Sequence, residues 1–231
     1  MRLALTAVIA ATALAACQRK QDTAATETPA PATPADAALP EGVLRAYVWQ
    51  CDDGHTLKMR NLYRENAIAI DLHEGTRKLP GVPSASGAKY DDGTVSFFSK
   101  GGAAVFTRKD GQPVRCREVR SQSLLEDARL RGVLYRGSGN EPGWMLEIGP
   151  GSDLTWVTAY GEERHAFANA LASGDAATGV VYTATDATDQ IKVTVVQTAC
   201  QDDMAGLPFD YQVTVVAGGR EYHGCGNRLQ R

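Results

Sequence analysis

Ser84-Ala85-Ser86-Gly87-Ala88-Lys89-Tyr90-Asp91-Asp92-Gly93, running into Thr94-Val95-Ser96-Phe97-Phe98, is the stretch on which the reading of this chain turns. Pro80, Gly81, Pro83 and Gly87 interrupt any strand, and Asp92-Gly93 is a turn signal. The segment therefore reads as an exposed loop leading into a strand at Thr94, where β-branched and aromatic residues suit a pleated surface. The loop presents a hydroxyl at Ser86, a small backbone at Gly87 and a phenol at Tyr90. Lys100 follows, just before the glycine pair Gly101-Gly102. Serine, tyrosine and lysine all donate hydrogen bonds to carboxylates.

Outward from this stretch the chain reads as all-β. Ala46-Tyr47-Val48-Trp49 and Ala67-Ile68-Ala69-Ile70 have strand composition. Val105-Phe106-Thr107, Lys109-Asp110-Gly111 and Val114 read as a hairpin turned by Asp-Gly. Further strands are expected at Trp144–Ile148, Leu154–Val157, Gly179–Tyr182, Val193–Val196 and Tyr211–Val215, with one helical stretch at Ser123–Arg131. Short strands with regular turn signals suggest small barrels or sandwiches.

Residues 1–16 read as a secretory signal: Arg2, a short apolar run from Leu3 to Leu14, then Ala15-Ala16. The run is too short to span a bilayer. Leu14-Ala15-Ala16-Cys17 looks like the lipobox of bacterial lipoproteins, in which the cysteine receives lipid, and Gln18 is compatible with sorting to the outer membrane. Residues 17–43 are rich in Ala, Thr and Pro with few large apolar side chains, the composition of a disordered tether. About 190 residues remain, which suits two modest domains. The expected divisions are 44–120, a connector at 121–132, and 133–231.

Charge divides the same way. Residues 44–120 hold 13 Lys/Arg against 9 Asp/Glu, a balance of +4, whereas residues 121–231 hold 8 against 14, a balance of −6. No basic stripe of the kind a nucleic-acid binder needs is present, so no nucleic-acid partner is expected. With Cys17 lipidated, Cys51, Cys116, Cys200 and Cys225 remain, an even number that suggests disulfides in an exported chain. Of the three pairings, Cys51–Cys116 and Cys200–Cys225 are expected because each brackets one structural unit. A zinc site is the competing reading, but no Cys-x-x-Cys spacing occurs and the four histidines are scattered. No metal or cofactor is expected.

Five ordered elements carry a resemblance. They are Tyr47-x-x-x-Cys51-x-x-Gly54, Ser86-Gly87-x-x-Tyr90, Asp92-Gly93, Ser99-Lys100-Gly101-x-Ala103 or Ala104, and the closing Cys116. Together they resemble the membrane-bound and periplasmic inhibitors of c-type lysozyme. The resemblance implies a small antiparallel β-barrel closed by a Cys51–Cys116 disulfide. It also implies a loop serine, here Ser86, inserted at the catalytic carboxyls of the enzyme, with Gly87, Tyr90 and Lys100 supporting it or contacting the cleft. Many members carry an acidic residue where this chain has Gly102. C-type lysozymes are typically basic, so the +4 half would not steer toward them, and the −6 half would offset this. Contacts inside a closed cleft weigh more in affinity than net charge.

Ser138-Gly139-Asn140-Glu141-Pro142-Gly143-Trp144, Cys200-Gln201-Asp202-Asp203-Met204-Ala205-Gly206 and Gly224-Cys225-Gly226 resemble a family of bacterial envelope lipoproteins of unknown function. There the first motif usually reads Gly-Asn-Glu-Pro-aromatic-Trp, so Gly143 departs from it. Asn140, Glu141, Asp202 and Asp203 are candidates for a polar ligand or cation site; alternatively Glu141 and Asp202 cap turns and Trp144 packs in the core.

No His-Glu-x-x-His spacing, Gly-x-Ser-x-Gly elbow, phosphate loop or dinucleotide fingerprint occurs, so no enzyme is expected. Ser86 has no evident base besides Lys89 or Lys100. The function expected is inhibition of c-type lysozyme by a protein lipid-anchored in the bacterial envelope, facing the periplasm. The alternative is an envelope ligand-binding or scaffolding lipoprotein that acts mainly through its second domain.

Overall fold

The computed structural model describes residues 44–175, 178–187, 189–202, 206 and 208–230. The expected signal, Cys17 and the expected tether lie outside the described residues. All the described secondary structure falls within one compact unit, Pro40–Arg231.

Its first eight strands form a closed antiparallel barrel: β1 (Ala46–Cys51), β2 (Thr56–Leu62), β3 (Ala67–Leu72), β4 (Gly75–Val82), β5 (Ala88–Asp91), β6 (Val95–Lys100), β7 (Ala103–Arg108) and β8 (Val114–Glu118). Alternating residues point inward, as a strand's two-residue period requires. Trp49, Leu57, Met59, Ile68, Ile70, Leu79, Phe97 and Phe106 fill the interior. β1 pairs with β8 to close the ring. Cys51 and Cys116 stand opposite each other in that ladder and are bridged, as expected.

Two sequence readings need correcting here. Pro80 and Gly81 do not interrupt a strand but lie within β4. The β4–β5 ladder holds only Gly81 and Val82, so the N–H missing from Pro80 costs no bond on that side. Nor is the 84–93 stretch one loop: Ala88–Asp91 is β5, set between the irregular residues 83–87 and the turn at 92–94 that leads into β6.

An up-and-down barrel sends alternate connections to alternate ends. One end therefore carries the turn after β2, the Pro83–Gly87 loop, the Gly101-Gly102 turn and the exit from β8. Leu44, where the described chain begins, lies at the same end. Its carbonyl accepts from Asn61 Nδ2 (3.0 Å) and from the Tyr63 hydroxyl (2.8 Å).

α1 (Arg120–Leu130) follows β8, starting three residues before the expected Ser123. It lies against β1, where β8 has ended. Ser123 Oγ accepts from the Val48 amide (2.9 Å) and Asp127 Oδ1 from the Arg45 amide (2.7 Å), so helix side chains satisfy the strand's backbone donors.

Nine further strands form the second sheet: β9 (Tyr135–Asn140), β10 (Gly143–Ile148), β11 (Leu154–Thr158), β12 (Glu163–Phe167), β13 (Leu171–Asp175), β14 (Gly179–Thr185), β15 (Gln190–Gln201), β16 (Pro208–Ala217) and β17 (Arg220–Arg228). Their order is β12-β11-β10-β9-β17-β16-β15-β14-β13. One face rolls around a single core of Trp144, Leu146, Trp156, Phe167, Tyr182, Val193 and Val213. Phe167 from one edge strand and Tyr182 beside the other meet in that core. Cys200 and Cys225 are bridged across β16, the second expected pairing. Among the described residues no helix is long and apolar enough to cross a membrane.

Candidate functional site

The barrel end bearing the Pro83–Gly87 loop brings together Ser86, Gly87 and Lys100. β5 and β6 pair Ala88 with Ser99, so the loop leaves β5 beside the end of β6. Gly87 makes the approach possible: it has φ +68°, and a Cβ there would lie 2.4 Å from the Ser99 carbonyl and 3.2 Å from Lys100 Cβ. Left-handed backbone and absent space both demand glycine. Within the loop Ser84 Oγ donates to the Ser86 carbonyl at 2.8 Å, holding the serine in place. Ser86, Gly87 and Lys100 are all exposed.

Tyr90 lies elsewhere in this arrangement. It stands opposite the fully buried Phe97 in the β5–β6 ladder, and so faces the barrel interior, half-buried against the core. Burial, with neighbouring Tyr47 adding to it, pushes the Tyr90 phenol above its ordinary pKa. It backs the wall from which the loop springs.

Sequence reasoning passed over Arg117. Lys100 pairs with Ala103, and Ala103 with Arg117, which sets both cations on one outer ladder. They line a groove of about 450 Å³ with Phe98, Val105 and Arg115. Arg115 is bridged to Asp52 at 3.1 Å. Among the described residues neither Lys100 nor Arg117 has an acidic partner within 4 Å. The arginine of a strand's solvent face carries no sequence signal of such a pairing.

In the second sheet Asn140 and Asp202 meet, Nδ2 donating to Oδ2 at 3.0 Å. Glu141 precedes a cis proline in the β9–β10 hairpin, and Trp144 is buried in the core. Asp203 lies outside the described residues. Among the described residues no group of three or more His, Cys, Asp or Glu could hold a metal ion.

An exposed hydroxyl and ammonium on a disulfide-closed barrel rim define a surface suited to carboxylates on a partner. Residues 49–115, from within β1 to within β8, match the family model described as membrane-bound lysozyme-inhibitor of c-type lysozyme. The match covers most of the barrel and ends before α1. No curated protein matches the chain, and no solved structure does.

Proposed function

We propose that the barrel inhibits c-type lysozyme by inserting the Ser86-Gly87 loop into the active-site cleft. Glycosidase clefts hold two carboxyl groups flanking the scissile bond. Ser86 donates its hydroxyl to one of them and Lys100 supplies an ammonium beside it, while Tyr90 braces β5 behind the loop. No bond is made or broken; sugar is excluded. The observation that supports this reading is the fixed approach of Gly87 to Ser99 and Lys100, which presents both donors together on an exposed rim. We further propose that lipid on Cys17 holds the chain in the bacterial envelope, at the outer membrane facing the periplasm.

The test is lysozyme-driven lysis of a cell-wall suspension in the presence of the full chain. Each charge-assisted bond is worth about 1.5–3 kcal/mol. Lys100→Ala is therefore expected to raise the half-inhibitory concentration by roughly tenfold or more, and Ser86→Tyr, which overfills the loop, by at least as much. Tyr90→Ala weakens inhibition with a loss of thermal stability. Undiminished lysis at large excess of folded, disulfide-bonded chain would sink the proposal.

A further inference from the structure

The second sheet carries a groove of about 580 Å³ on its outer face, turned away from the core. Its floor is Met145 and Val157, which stand opposite each other across β10 and β11. Ser138, Asn140 and Glu141 line it from β9 and the hairpin tip, and Tyr160 forms a wall beyond β11.

Tyr160 has no place in the core, being 88% exposed. Yet its backbone is left-handed, with φ +57°, and so is that of Ala159, with φ +49°. Residues other than glycine rarely hold such a backbone. The ring is held across Gly143, where an added Cβ would lie 2.9 Å from it. A strained segment thus holds an aromatic ring in the open, above an apolar floor.

The polar groups beside it are available. Ser138 and Glu141 make no side-chain hydrogen bond or ion pair among the described residues. Asn140 gives its amide N–H to Asp202 and keeps its carbonyl oxygen as an acceptor. Arg136, at the end of the groove, is occupied by an ion pair with Glu147. Among the described residues that line the groove Arg136 is the one cation and it is committed, so an anion there would meet the Glu141 carboxylate; the exposed Arg164, opposite Val157, lies beyond the lining. An apolar segment would bury Ser138 and Glu141 unsatisfied. A sugar fits both halves: one ring face is C–H, and its rim of hydroxyls both donates and accepts.

We propose that this groove binds a neutral oligosaccharide, with one sugar ring stacked on Tyr160 above Met145 and Val157 and its hydroxyls bonded by Ser138, Asn140 and Glu141. The site lies on the other sheet from the Ser86 loop and does not rest on the inhibitor reading.

Calorimetric titration of the full chain with chitotetraose, cellotetraose and maltotetraose tests it. At least one is expected to bind with Kd of about 1 mM or tighter, Tyr160→Ala weakening it roughly tenfold or more and Tyr160→Phe keeping it within about twofold. The exposure of Tyr160 means that Tyr160→Ala should unfold within about 2 °C of the parent, which separates lost binding from lost fold. No heat from any of the three sugars at about 10 mM, or equal affinity in the parent and Tyr160→Ala, overturns the proposal. Lysis inhibition is expected to be the same in Tyr160→Ala as in the parent, so the two functional proposals fail separately.

Discussion

Arg131, which caps α1, donates to both carboxylate oxygens of Glu147, at 2.7 and 2.8 Å, while its Nε donates to Asp127 of that helix at 2.9 Å. One guanidinium therefore ties α1 to β10, and Asp127 in turn receives the Arg45 amide at the start of the barrel. Glu147 is buried and also paired with Arg136.

This network should make the fold sensitive to acid. Burial alone would raise the Glu147 pKa, but the bonds from Arg131 and the charges of Arg136 and Arg131 outweigh it and hold the carboxyl below its ordinary 4.5. A depressed folded pKa gives stability that is full above the unfolded value and is lost as pH falls through the folded one. The unfolding temperature of the parent should thus fall as pH drops below about 4.5. Glu147→Gln, which leaves the part-buried Arg131 and Arg136 facing a neutral amide, should cost about 2 kcal/mol at pH 7 and flatten that acid limb. A Glu147→Gln curve parallel to the parent's would show that other groups carry the acid response.

Gly87→Ala should separate loop shape from barrel stability. Alanine must adopt φ +68° and place its Cβ 2.4 Å from the Ser99 carbonyl. The loop must move away from Lys100, at a cost of about 1–2 kcal/mol in stability. Lysis inhibition should weaken by roughly tenfold or more, well beyond what partial unfolding produces, because most chains remain folded. Parent-level inhibition would mean that the loop's approach to Lys100 is not what the enzyme meets.

The two disulfides should contribute unequally. Cys51–Cys116 closes 65 residues and Cys200–Cys225 closes 25. The chain-entropy model assigns them about 4.3 and 3.5 kcal/mol. Denaturant titrations of the paired serine variants should show the larger loss for Cys51→Ser/Cys116→Ser. The reverse order would point to native contacts around Cys200 as the greater contribution.

Strands rich in β-branched and aromatic residues were legible in the sequence, and so were the barrel and both cysteine pairings. What stayed hidden lacks those signals. β9, Tyr-Arg-Gly-Ser-Gly-Asn, has the composition of a turn, yet it is central in its sheet. β13, Leu-Ala-Ser-Gly-Asp, is exposed at every position and shows no alternation. β5 reads as loop because Pro83 and Gly87 precede it and Pro80 and Gly81 look like breakers, while ladder position makes the last two tolerable in β4. The early start of α1 follows from Val119, which carries no side-chain cap to mark it. Tyr160 sits in Ala-Tyr-Gly, a stretch without a motif, and only the fold brings it over Gly143. Gly143, having no side chain, leaves the space the Tyr160 ring occupies.

Leu44 enters the barrel at the end that carries Ser86. Under the anchoring proposed above, the tether joins the membrane surface to the barrel end proposed to meet the enzyme. The gap between them is set by the 26 residues from Gln18 to Val43. Fully extended, these reach roughly 90 Å, about three times the breadth of a small domain. The length of that Ala/Thr/Pro-rich stretch is then a clearance: it decides how large a partner can pass beneath the barrel and still be reached.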